Sequence, residues 1–182
     1  MPLLNTITTP YAEAFLQVAS SRDEVDKVID QAKEVLELWT QSPDLSEAMA
    51  SPVLEVDAKK AVLEKLFSNQ LTPSFLNLLK LLADRQRIGF LDAVLERLLE
   101  LYREQRNIAL ATVTSASVLN DDQQADLLKK IQSIAGTNNL ELNLDVDPSL
   151  IGGFVVTVGS KVIDASLAGQ VRRLGLSLAK VS

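Results

Sequence analysis

Carboxylates are the side chains in this sequence whose spacing comes closest to a reactive arrangement. Asp121-Asp122 is one close pair, and Asp145 and Asp147, separated by Val146, are another. Paired carboxylates are what general acid–base work requires. Each pair has a structural role instead. Asp121 and Asp122 open a helical segment, where negative charge favours the macrodipole. Asp145 and Asp147 share the polar side of an alternating strand. No Asp-x-Asp-x-Asp-Gly loop is present to hold calcium. Gly152-Gly153 raises phosphate binding as a second possibility, but no helix start follows it and no Gly-x-x-x-x-Gly-Lys pattern occurs. The pair reads better as a bulge or a point of close backbone approach. The chain has no His and no Cys. That removes the usual zinc and copper ligands, the Ser-His and Cys-His nucleophile pairs, and disulfides. No catalytic residue, no metal ligand and no cofactor site is expected. An acid–base hydrolase lacks a convergent site, which leaves a protein that acts by holding other proteins together.

The elements that carry these residues are legible from composition and period. The 182 residues are 47% hydrophobic, 23% charged and only 4% aromatic, so the core is expected to be aliphatic. The net charge of -6 comes without a basic stripe: Arg85, Arg87 and Arg172-Arg173 are short patches. Nucleic acid is therefore not an expected partner. Met1 to Thr9 lacks the features of a secretory signal. The greasiest stretch, Phe75 to Ala83, is interrupted by Asn77 and Lys80, well short of the ~20 apolar residues that span a bilayer. No direct membrane insertion is expected.

Residues 1–106 read as a six-helix bundle. Ile7, Tyr11, Phe15 and Val18 form one stripe, with Thr9-Pro10 offering a cap and first-turn proline and a start one turn earlier as the alternative. Ser21 and Glu24 have capping-box spacing ahead of Val25, Val28, Ile29, Ala32, Val35, Leu36 and Trp39. A short helix fits between Pro43 and Pro52. The fourth runs from about Asp57 to Phe67, burying Ala61, Leu63, Leu66 and Phe67 or their neighbours. The fifth starts at Thr72-Pro73, and the sixth carries Leu91, Val94, Leu95, Leu98 and Tyr102. The fifth helix is unusual. Phe75, Leu76, Leu78, Leu79, Leu81, Leu82 and Ala83 cover most of its circumference, whereas a surface helix needs a stripe of only ~100°. Either it sits at the bundle centre, or one flank stays open as a groove for another helix.

Beyond Asn107 the period changes from helical to two. Ile108 to Ser115 is a strand, and Asn120 to Ala135 a helix with Leu127, Leu128, Ile131, Ile134 and Ala135 inward and Gly136 as its cap. Leu140, Leu142, Leu144 and Val146 alternate with polar residues. Ile151 to Val158 and Lys161 to Asp164 form a hairpin around Gly159-Ser160. A last helix is expected to bury Leu167, Val171, Leu174 and Leu178; Gly169 and Gly175 in it suggest close packing or a partner contact. The chain is thus mainly α with a small α/β module, residues 107–182, of order β-α-β-β-β-α.

These residues also carry a family likeness. Asp147-Pro148-Ser149-Leu150-Ile151-Gly152-Gly153-Phe154, with Gly159, Asp164, Ser166, Gly169 and Gln170, resembles the C-terminal signature of the F-type ATP synthase delta subunit, the family of the mitochondrial oligomycin-sensitivity-conferring protein. Tyr11-Ala12-Glu13-Ala14 resembles its first helix, and Leu79 through Ile88 its fifth. Phe15 and Leu78 depart from the common Leu and Phe. The texture is most like cyanobacterial and plastid members. The resemblance implies a non-catalytic stator subunit, one copy per complex, that joins the catalytic head to the peripheral stalk so that proton-driven rotation makes ATP. It implies two partners: the N-terminus of an alpha subunit for the bundle, and b-type stalk subunits for the C-terminal module. It places the protein at the cytoplasmic or stromal face of a plasma or thylakoid membrane, through the complex. It favours the open groove, with Tyr11, Ala14, Phe15 and Val18 facing Phe75, Leu79 and Leu82. On that reading, Asp at Phe75 or Leu79 abolishes binding and leaves the bundle folded.

Overall fold

The computed structural model describes residues 2–135, 139–159 and 161–179. It divides into two compact units, Met1–Glu104 and Gln105–Ser182. The first holds α1 (Pro2–Ser21), α2 (Val25–Gln41), α3 (Pro43–Ala50), α4 (Val56–Phe67), α5 (Pro73–Asp84), a 3-10 turn (Ile88–Phe90) and α6 (Leu91–Arg106), whose last two residues lie past the unit boundary. The second holds β1 (Ala109–Ser115), α7 (Asp121–Ala135), β2 (Leu140–Val146), β3 (Phe154–Val158), β4 (Lys161–Asp164) and α8 (Leu167–Ala179). The chain is mainly helical with one small four-stranded sheet, as its periodicity indicates.

The core of the helical unit is aliphatic, with Phe15, Phe75, Phe67 and Trp39 embedded in it. Phe15 and Phe75 meet edge to face, centroids 5.2 Å apart, the geometry that the ring quadrupoles favour. Three sequence expectations change here. The first helix does not start at Thr9-Pro10; it runs from Pro2 with Pro10 in its interior, where the ring removes one helical N–H donor. Ser21 and Glu24 form no capping box: α2 has no side-chain cap at Glu24. Instead α1 closes with Asp23 in the left-handed region at φ 55, Asp23 N–H on Ser20 C=O (3.3 Å) and Glu24 N–H on Ala19 C=O (3.0 Å). That crossed pair is a Schellman ending. In α4, Ala61 and Leu66 face solvent while Lys59, Leu63 and Phe67 are the buried positions.

In the second unit the strand order is β2-β1-β3-β4, with β1 parallel to β2 and the other pairs antiparallel. Ala111, Val113, Val156 and Val158 form one face, and Leu127 and Ile131 of α7 pack among them. β2 is an edge strand. Leu140 and Leu142 join the core, but Leu144 and Val146 on the same side are exposed. Leu167 and Val171 are also exposed, contrary to their expected burial. Gly136, Ser160 and the side chains of Ile134, Ala135, Leu174 and Leu178 lie outside the described residues.

Candidate partner-binding sites

An open groove of about 700 Å³ runs between α1 and α5. On α1 it is lined by Ile7, Tyr11, Ala14, Phe15, Val18 and Arg22, with Thr6 and Pro10 at one margin. Ile7, Tyr11 and Val18 are the larger apolar residues that α1 leaves only partly covered on this side. The core face of α1 carries Phe15 and Leu16 together with Thr8, Ala12 and Ala19. α1 therefore carries apolar residues on its open side as well as on its core side, more than a surface helix needs. On α5 the lining residues are Ser74, Asn77, Leu78 and Leu81, one stripe at i, i+3, i+4 and i+7. Val18 and Leu81 are 42% and 43% exposed.

The groove therefore assembles only part of the expected set. Tyr11, Ala14, Phe15 and Val18 line it. Phe75, Leu79 and Leu82 do not: each is 0% exposed in the bundle core. They occupy the neighbouring α5 stripe, rotated towards the interior, so a carboxylate at Phe75 or Leu79 would be buried unpaired and would unfold the unit rather than spare it. Leu78 and Leu81 belonged to the apolar excess of the fifth helix; the i, i+3, i+4, i+7 offset from Ser74 was the signal available for them.

Backbone and polar contacts fix the α5 wall. Thr72 caps α5, its Oγ1 accepting from Phe75 N–H (3.4 Å). Buried Gln31 of α2 accepts from Thr72 N–H and Thr72 Oγ1, both at 3.1 Å, and donates to Gln70 C=O at 3.0 Å. At its other end α5 closes with Gln86 at φ 55, Gln86 N–H on Ala83 C=O (3.0 Å) and Arg87 N–H on Leu82 C=O (2.7 Å). This is a second Schellman ending without glycine. Lys60 pairs with Asp84 and Lys80 with Glu64, tying α4 to α5 away from the groove stripe. Lys80 lowers the Glu64 pKa through its hydrogen bond and charge.

Two arginines stand at opposite ends of the groove. Arg22 donates to Ser74 Oγ at 2.9 Å, and Ser74 Oγ donates on to Glu24 Oε2 at 3.1 Å. Arg87 donates to Tyr11 Oη at 2.9 Å, and its guanidinium lies 5.6 Å from the Tyr11 ring centroid. The contacts Arg22–Ser74 and Tyr11–Arg87 show that α1 and α5 run antiparallel along the groove.

In the second unit the signature residues form a joint rather than a reactive centre. Asp164 Oδ1 accepts from Ser166 N–H (2.9 Å) and Ser166 Oγ (2.6 Å), and Ser166 Oγ accepts from Gly169 N–H (3.0 Å). Ser166 thus caps α8. Gly169 leaves room for the Asp164 carboxylate, which a β-carbon there would strike. Gly153 has φ 83, and a β-carbon on it would collide with the Ala165 carbonyl oxygen. Gly152 C=O accepts from Leu167 N–H (2.9 Å), and Phe154 C=O from Ala165 N–H (3.0 Å). The glycine pair is thus a site of close backbone approach. Asp147 makes an Asx turn with Ser149 N–H (2.9 Å). Gly159, at φ 57, turns the β3–β4 hairpin. Ile151 and Gln170 are exposed.

Hydrogen bonds from Ser149 and from Ser166 hold the Asp147 and Asp164 carboxyls below the ordinary aspartate range; Arg173 and Arg172 add to the effect at Asp164. Among the described residues every resolved carboxyl shift is downward, the opposite of what a general acid needs. Among the described residues no three acidic side chains gather to hold a metal ion.

The family described as ATP synthase delta (OSCP) subunit matches residues 7–178. The ATP synthase subunit delta of Prochlorococcus marinus is 80% identical over 182 residues, covering all of both chains. The ATP synthase subunit delta of the Paulinella chromatophora organellar chromatophore is 66% identical over 181 residues, again covering all of both chains. A chain in the cryo-EM structure of the Toxoplasma gondii mitochondrial ATP synthase hexamer shares the fold. Its TM-score is 0.68 at 21% identity, covering 93% of this chain and 96% of that one.

Proposed function

The chain belongs to the ATP synthase delta (OSCP) subunit family, and from that membership we propose how each of its two units is used. The protein is a non-catalytic stator component of the peripheral stalk of F-type ATP synthase. Its helical unit receives the amphipathic N-terminal helix of an alpha subunit in the α1–α5 groove. Its C-terminal unit meets the C-terminal ends of b-type stalk subunits. One copy thereby joins catalytic head to stalk on the cytoplasmic or stromal face of a plasma or thylakoid membrane. No helix among the described residues is long and apolar enough to cross that membrane, so the association runs through the complex.

The observation that carries the head-binding role is the groove itself. Val18 and Leu81 keep more than two fifths of their surface exposed on adjoining helices, beside Ile7, Tyr11 and Leu78. Burying such surface is what an amphipathic helix in a groove does. For the stalk-binding role, the support is a set of apolar side chains left uncovered on the second unit: Leu167 and Val171, one helical turn apart on α8, and Ile151, 85% exposed. The test is co-purification of the tagged full chain with alpha and b subunits. Leu81→Asp is expected to release alpha and retain b, and Val171→Asp to do the reverse. Failure of the unmodified chain to retain either subunit overturns the assignment of partners.

A further inference from the structure

We propose that the helix occupying the α1–α5 groove carries a carboxylate at each end of its apolar stripe, about three turns apart, and that Arg22 and Arg87 fix its register by receiving them. This rests on the groove-docking reading above.

The groove is lined by two arginines and no carboxylate, in a chain with 24 acidic residues against 18 basic ones. Composition alone would favour the opposite. Neither arginine has a carboxylate within ion-pair distance among the described residues, whereas Lys60, Lys80 and Arg97 all do. Each arginine is instead held by a neutral hydroxyl, Ser74 Oγ for Arg22 and Tyr11 Oη for Arg87. Glu24 shares the Ser74 hydroxyl, accepting from it at 3.1 Å, and forms no ion pair with Arg22. A guanidinium has five N–H donors, so one hydroxyl contact orients the group and leaves a fork for a bidentate carboxylate.

The backbone holds both positions as well. Arg22 follows the last residue of α1, directly before left-handed Asp23, and Arg87 directly follows left-handed Gln86. Both therefore sit at helix C-termini that close without glycine, where a cation is favoured by the dipole. Tyr11, which marks the position of Arg87, and Arg22 are separated by about 16 Å along α1, at 1.5 Å per residue. On an occupying helix that distance is about eleven residues, a spacing that returns to the same face after about three turns. Side chains at that spacing share the face that carries the apolar stripe, so the two charges bracket it. They set how far the helix slides along the groove, while Val18, Leu78 and Leu81 supply the apolar contact between them and Ile7 extends it one turn beyond Arg87.

The experiment is a calorimetric titration of the full chain with a synthetic peptide of the alpha-subunit N-terminus from the same complex, at about 20 and about 200 mM salt. Binding is expected to weaken with salt. Arg22→Gln and Arg87→Gln should each lower affinity about fivefold, and together about twenty-five-fold because the sites are distant enough to add. The double variant should lose most of the salt dependence and keep its circular dichroism melt. A second arm changes the peptide alone, replacing each Asp and Glu by its amide; two substitutions about eleven residues apart should reproduce the arginine losses. An unchanged affinity in the double arginine variant, or in every amide peptide, overturns the charge bracket and leaves groove docking standing. A wild-type chain that takes up no peptide overturns both.

Discussion

Leu81→Asp and Phe75→Ala, two substitutions six residues apart on α5, should separate docking from folding. Phe75 is 0% exposed and packs edge to face on Phe15. Truncating such a ring removes its transfer energy and leaves a cavity, a loss of about 3–5 kcal/mol. In a unit of this size each kcal/mol moves the melting midpoint by about 4–8 °C, so a fall of about 15 °C or more is expected. Leu81 is 43% exposed on the groove side. The free protein loses only its covered part, about 1 kcal/mol, and the new carboxylate stays in water. With a helix docked the balance differs. The remaining apolar surface forfeits about another 1 kcal/mol, and an unpaired carboxylate enclosed in the groove costs a few kcal/mol more. Affinity should fall at least about a hundredfold. Melts followed by circular dichroism and titrations with the alpha-subunit peptide read the two effects separately. A Phe75→Ala midpoint within about 5 °C of the parent would contradict the core assignment. Unchanged peptide affinity for Leu81→Asp would remove the groove as the docking site.

Gln31→Ala should destabilise the helical unit by about 2–4 kcal/mol in chemical denaturation, because it strands the buried Thr72 N–H and the Gln70 carbonyl together; a loss under about 0.5 kcal/mol would mean those groups find other partners. Gly153→Ala places a non-glycine residue at φ 83 with its β-carbon on the Ala165 carbonyl; a cost above about 2 kcal/mol is expected. Gly159→Ala, at φ 57 with open space around it, should cost only about 1 kcal/mol, so equal losses would refute the close-approach reading of Gly153. The Asp164 carboxyl titrates lower in the folded chain than in the unfolded one. Its stabilising effect is therefore complete above the unfolded aspartate value and disappears as pH falls through the folded one. Acid unfolding of the second unit below about pH 4 should flatten in Asp164→Asn, followed by the β-sheet signal, and an identical acid limb would show that the α8 cap does not titrate.

The architecture was legible where one pattern answered to one neighbour. α2 buries Val28, Ile29, Ala32, Val35 and Trp39, the stripe its spacing predicts, because only the core competes for that helix. The hairpin, the helical N-terminal half and the sheet-bearing C-terminal half were likewise set by local period and turn chemistry. Helix ends were less legible. The rule that glycine marks a C-terminus finds nothing at Asp23 or Gln86, although both adopt the left-handed conformation that usually selects it. The missed endings hid Arg22 and Arg87: Arg87 reads with Arg85 as a short basic patch and nothing in the sequence singles out Arg22, until the chain reversals carry both to the groove.

The groove was half legible for a further physical reason. α5 answers to two surroundings at once, the bundle core and the open groove. Phe75, Leu79 and Leu82 belong to the first, Leu78 and Leu81 to the groove, with Leu78 contributing to both. At 100° per residue these stripes are adjacent, and Leu78 and Leu81 are as apolar as Leu79 and Leu82, so hydrophobicity measures their sum and not the line between them. Only the position of α1 draws that line. α1 carries a similar signal, since Ile7, Tyr11 and Val18 stay on the groove side while Phe15 and Leu16 are buried with Ala12 and Ala19. Small residues let α1 approach the bundle closely, which leaves Tyr11 and Val18 standing as one wall above Leu78 and Leu81 on the other. Apolar excess on α5 and the apolar residues on the open side of α1 together form the surface that the proposed docking of a helix from another chain would cover.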